Sequence, residues 1–76
     1  MVTRNDLEIK LRQTLKQIAQ LHRHIRLCNV ALRSCLRAES ILRINEDLAQ
    51  AGREIEILEI QRDRIRAEIE NCDFRG

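Results

Sequence analysis

Nothing in this chain obliges a helix to stop. Its 76 residues contain no proline, and of its two glycines only Gly52 lies away from the end. Proline and glycine are the residues that most strongly interrupt a helix, so a long helical reading meets almost no resistance. The apolar residues then have to recur at helical spacing, and they do. From Leu7 to Cys35 a heptad places Leu11, Ile18, Ile25 and Leu32 at position a and Leu7, Thr14, Leu21, Cys28 and Cys35 at d. Leu15, His22 and Leu36, at e, are expected to widen this stripe. Thr3 followed by Asp6 reads as a capping-box variant, with Val2 stapled onto Leu7.

The second half carries a heptad of its own. Ile41, Leu48, Ile55, Arg62 and Ile69 fall at a, and Ile44, Ala51, Leu58, Ile65 and Cys72 at d. The two registers differ by two residues across 36–41, which is not one of the three- or four-residue slips a continuous coil absorbs. A break fits better. The expected fold is all-α, one domain over 1–76. Helix 1 covers about 4–36, a turn about 37–45 and helix 2 about 46–72. Ser40 and Asn45 are candidate caps for the second helix. A third helix would result if Gly52 ended a short middle one. Glu54–Ile60 alternates like a strand, but its helical flanks outweigh that.

An antiparallel hairpin can be laid out on these registers. If facing core positions sum to 76, Leu11 meets Ile65, Ile18 meets Leu58, Leu21 meets Ile55 and Cys28 meets Leu48. The polar intruders Thr14 and Arg62 then meet each other, and at the flanks Lys10 comes near Glu68 and His24 near Glu54. A register one heptad longer strands Arg62 against Leu21, an unfavourable burial of charge. Charge supports the antiparallel layout. Residues 1–38 carry eight basic and two acidic side chains, a net of +6; residues 39–76 carry six basic and ten acidic, a net of −4. Opposite halves attract when the chain folds back or when two copies pack antiparallel. The same arithmetic fits a swapped dimer, so both remain open.

Two helices of this size leave too little core to be stable alone. Leu27, Val30, Ile57 and Ile60 are left outside the main seam and read as a second apolar surface for partner binding, with scattered surface hydrophobes as the alternative. A basic stripe, Arg12, Lys16, Arg23, Arg26, Arg33 and Arg37, runs along the outer face of the first helix. A solvated face, an acidic protein and nucleic acid all remain readings of it. Base readout has no support, because Phe74 is the single aromatic and there is no Trp or Tyr for stacking.

Chemistry is hard to place on such a chain. Two glycines cannot build a phosphate loop. His24 and Cys28, at i and i+4, could contribute two metal ligands, but a third would have to be Cys35, one or two turns away, or come from another chain, so neither a metal nor another cofactor is expected. Carboxylates such as Glu56, Glu59, Asp63 and Glu70 read as a solvated face, with Arg64–Glu68 and Arg66–Glu70 as ordinary i,i+4 pairs. A hairpin is expected to lack a concave pocket of the ~300 Å³ that small molecules need. An enzyme is not expected, and no catalytic residue is assigned. Cys28, Cys35 and Cys72 form an odd set, and two cysteines seven residues apart on a helix stand about 10 Å apart, beyond disulfide reach. Free thiols, a charged N-terminal stretch and no apolar run of ~18 residues point to the cytoplasm, with no membrane contact.

In size and layout, from Thr3 to Cys72, the chain resembles the small helical-hairpin co-chaperones that guard needle subunits in bacterial type III secretion. The resemblance implies a hairpin that docks on a larger helical chaperone and keeps an aggregation-prone subunit dispersed, with Leu27, Val30, Ile57 and Ile60 as docking residues. The basic first half departs from that pattern. The functional expectation is a non-enzymatic helical interaction module, an adaptor or co-chaperone that completes its core on a helical partner or a second copy. The alternatives are a small basic-faced regulator associated with nucleic acid and a homo-oligomeric structural coiled coil.

Overall fold

A computed structural model describes residues 3–34 and 36–75, with side chains as far as Cys72. Helix α1 spans Arg4–Ser34 and helix α2 spans Ala38–Arg75, and the two pack against each other in an antiparallel hairpin. No strand occurs among the described residues. The body measures 58 × 17 × 14 Å, which is one hairpin's length and a single layer of helices thick.

The start of α1 forms as its sequence demands. Thr3 Oγ1 accepts from the Asp6 amide at 3.2 Å, while the Thr3 amide donates back to Asp6 Oδ2 at 3.2 Å. Two amides without partners inside the helix are satisfied reciprocally. The Leu7 amide donates to the Thr3 carbonyl at 3.1 Å and opens the helical ladder. Val2, the other half of the expected staple, lies outside the described residues.

The turn is shorter and earlier than the sequence suggests. Helix α2 begins at Ala38, not near 46, whereas α1, ending at Ser34, closely matches the expected 4–36. The Ile41 amide donates to the Arg37 carbonyl at 3.1 Å, so Arg37 holds the position that opens α2. Ser40 and Asn45, the expected caps, are interior residues of the helix. The physical reason lies in the seam. Ile41 and Ile44 belong to it, and they face α1 only if helix is already established at 38. Ala38 and Glu39 allow that, and Glu39 places an acid in the first turn where the helix dipole favours it. At its middle α2 runs through Gly52 without interruption, so the described chain has two helices and not three.

The seam itself follows the heptads. Cys35 is outside the described residues; the other eighteen a and d positions are all buried or half-buried. Leu7, Thr14, Ile18, Cys28, Ala51 and Ile55 lie deepest. Adherence to a 3.5-residue repeat over this length requires the helices to coil around each other. The register is the expected one. Thr14 shares a groove wall with Gln61 and Ile65, and Leu21 with Glu54 and Leu58, as pairings that sum to 76 require. Thr14 satisfies its hydroxyl by donating to the Lys10 carbonyl at 2.9 Å. Arg62 turns its guanidinium out of the seam to Asp63 at 3.1 Å and Glu59 at 3.8 Å, so neither polar intruder is left without a partner.

The e positions do not widen the seam. Leu15 is 39% exposed, His22 is exposed, and Leu36 in the connection is 97% exposed. Two helices meeting along a and d cover only a narrow strip of each, and e comes under cover when a third helix adjoins.

Candidate functional site

Each seam is flanked on two sides, and the two sides of this hairpin differ in chemistry. On one side the c and g positions of both helices line a continuous furrow. Its centre, about 460 Å³, is walled by Gln17, Gln20, Glu54 and Ile57 over a floor of Leu21 and Leu58. It continues past Thr14 towards Lys10 and Glu68 as a hollow of about 370 Å³, and past Ala51 towards His24 and Asp47 as one of about 250 Å³. Small residues at d, Thr14 and Ala51, keep the floor low. The expectation that a hairpin has no concavity of this volume is therefore corrected, although the furrow is open along its length and its walls are exposed side chains.

The furrow was not foreseen as a site, yet its signal is in the sequence. All five glutamines of the chain, at 13, 17, 20, 50 and 61, occupy c or g positions and line it. On α1 the c and g positions from Gln13 to Ser34 carry no formal charge with His24 neutral. The predicted flanking neighbours also meet here: Lys10 and Glu68 line one end, His24 and Glu54 the other.

The opposite side and the back of α1 carry the basic row, with Leu15 and Leu42 also exposed on that opposite side. Arg12, Arg26 and Arg33 occupy b positions of α1, with Lys16 and Arg23 on its back, and all are exposed. Arg37 lies in the connection, beyond the helical stripe. Beside them the b positions of α2 hold Glu56, Asp63 and Glu70. A polyanion approaching the basic row from this side meets acids as well, which reduces its attraction.

All four expected partner-binding residues are well exposed: Leu27 63%, Val30 60%, Ile57 56% and Ile60 55%. The structure does not bring them together. Leu27 and Ile57, at c, lean towards the furrow, and Ile57 forms part of its wall. Val30 and Ile60, at f, occupy the outermost backs of α1 and α2, facing away from each other. Only the c pair is on a surface one partner can cover.

Metal chemistry gains little. His24 Nε2 lies 3.5 Å from Cys28 Sγ, but no group of three candidate ligands forms among the described residues. Cys28 and Cys72 are free thiols. No helix among the described residues is long and apolar enough to cross a membrane. No protein-family model matches the chain, and no curated protein or solved structure shows significant similarity to it.

Proposed function

We propose that this hairpin is a non-enzymatic interaction module, an adaptor or co-chaperone by class, that completes its core on another helical polypeptide. The supporting observation is its surface. The hairpin exposes 6447 Å², whereas a monomer of its mass typically exposes about 4,800–4,900 Å². The excess, about a third, is roughly twice the ~800 Å² that each partner contributes to a standard interface. No large side chain among the described residues is fully enclosed, so the fold lacks the interior of an independent domain. A reduced, cytoplasmic setting suits its free thiols.

Thermal unfolding followed by circular dichroism over a hundredfold range of concentration, with sedimentation in parallel, tests this. A melting temperature that rises with concentration, or with an added binding protein, is expected. A cooperative, concentration-independent melt of a monomer would refute the reading. The basic row supports a second reading, association with nucleic acid, whose mark would be affinity falling steeply with salt.

A further inference from the structure

We infer that the furrow side of the hairpin is covered by a second copy of this chain, related by a two-fold axis across the helices, with the two turns at opposite ends. This rests on the interaction-module reading and names the partner.

Charge complementarity and helix overlap together select this arrangement. Along α2 the furrow side presents Ser40, Arg43, Asp47, Gln50 and Glu54, then Ile57, Gln61, Arg64, Glu68 and Asn71, alternating g and c. Antiparallel coils match a position of one seam set with the complementary position of the other, here g with c. When α2 faces α2 of a second copy so that matched numbers sum to 111, Arg43 meets Glu68, Asp47 meets Arg64, Gln50 meets Gln61 and Ser40 meets Asn71. Each match occurs twice. Ile57 meets Glu54, whose carboxylate already accepts from Gln50 Nε2 at 3.4 Å. Arg43, Asp47, Arg64 and Glu68 take part in none of the hairpin's own ion pairs among the described residues. The expected Arg64–Glu68 pair, in particular, does not form within the helix.

Because level residues of the hairpin sum to 76, the same axis crosses α1 between residues 20 and 21 and brings Gln17, Gln20, His24 and Leu27 of the two copies together. No like charges meet. The axis thus falls at residues 55–56 and 20–21, close to the midpoints of Ala38–Arg75 and Arg4–Ser34. The register that pairs the charges therefore also overlaps both helices almost completely, which covers the most surface.

Other arrangements fail on charge. With α1 on α2 across the furrow, Lys10 meets Arg64 and Asp6 meets Glu68. On the opposite side, α1 on α2 sets Arg12 against Arg66 and Glu8 against Glu70. There α2 on itself sets acid against acid, Glu56 on Glu59 or Glu59 on Asp63, or pairs no acid with a base. Like charges brought together in this way oppose association.

Charge exchange tests the pairing, using the full chain and sedimentation equilibrium with circular dichroism as a fold control. The wild-type chain should form a dimer. Asp47→Arg alone, or Arg64→Asp alone, should weaken that dimer at least about tenfold with helix content unchanged. Asp47→Arg combined with Arg64→Asp restores both matches and should return the affinity to within a few-fold of wild type. In a chain without its native cysteines, mixing Gln50→Cys with Gln61→Cys should give a covalent heterodimer on oxidation. A double variant as weak as the sum of its singles, together with no cross-link, would overturn the arrangement. A monomer at all concentrations that gains stability only from a different protein would overturn it too, and would leave the interaction-module reading standing. A monomer with a cooperative melt of its own would overturn both.

Discussion

Replacing Ile57 with Glu separates the two surfaces of α2 more sharply than any other single change. Ile57 is 56% exposed, so about half of the 1.5–3 kcal/mol available from burying an isoleucine is still open to a partner, roughly 1 kcal/mol. In a two-fold dimer that contribution counts twice. The introduced carboxylate would face Glu54 of the second copy in a partly desolvated furrow, adding about 1–3 kcal/mol. Together these raise the dissociation constant at least a hundredfold, since each 1.4 kcal/mol is a factor of ten. The isolated hairpin should be unaffected, because glutamate is a good helix former and the site is half solvated. Two controls frame the measurement. Leu58→Glu, one residue on, places a charge on the furrow floor and should cost the hairpin itself about 3–4 kcal/mol. Ile60→Glu, on the back of α2, should change the dissociation constant less than about threefold, as solvated surface sites usually do. Sedimentation equilibrium reports the association and circular dichroism the fold. If Ile57→Glu and Leu58→Glu behave alike, or if Ile60→Glu weakens association as much as Ile57→Glu, the division of α2 into seam, furrow and back is wrong.

Gly52→Ala should stabilise the hairpin by about 0.5–1 kcal/mol, because a methyl group there meets nothing within 4 Å and the backbone is helical. A loss in a thermal melt would mean that something packs against that side. Thr14→Val should be neutral or mildly stabilising: the hydroxyl bonds only its own helix, at the Lys10 carbonyl, and that carbonyl keeps its backbone partner. Destabilisation beyond about 1 kcal/mol in a denaturant titration would count against this. Intact mass without reductant should show all three cysteines as thiols, and a species about 2 Da lighter would overturn the reduced assignment. Cys28→Ser, at a buried seam position, should cost about 1–2 kcal/mol on chemical unfolding.

The seam was legible because the residues that write it are large aliphatics at strict spacing, and every described a and d position is at least half-buried. The register was legible for a different reason: Thr14 and Arg62 are the two polar members, and a slip by one heptad puts Arg62 on Leu21. The turn was not. Ser40 and Asn45 are good caps in isolation, but the burial of Ile41 and Ile44 outweighs a cap worth about 1 kcal/mol. Leu15, His22 and Leu36 extend the stripe in sequence, but one neighbouring helix covers only its a/d strip and leaves e exposed. The furrow went unseen because its glutamines are neither apolar nor charged, and reading by hydropathy passes over both.

The short connection has a kinetic consequence. Leu32 and Ile44 face each other across only a dozen residues, whereas Leu7 and Ile69 are separated by about sixty. Closing a loop costs more as it lengthens, by about 0.6 kcal/mol per doubling, so pairing starts beside the turn. Each later pair then closes only the increment left by the one before, and the hairpin zips outward. Opening runs in reverse, from the end where Leu7 and Ile69 meet. The partly opened chain thus keeps its turn and presents two splayed arms, each with a bare a/d strip. That is the form in which a hairpin can exchange an arm with a neighbour and pass, without ever fully unfolding, into a swapped assembly with the same pairings.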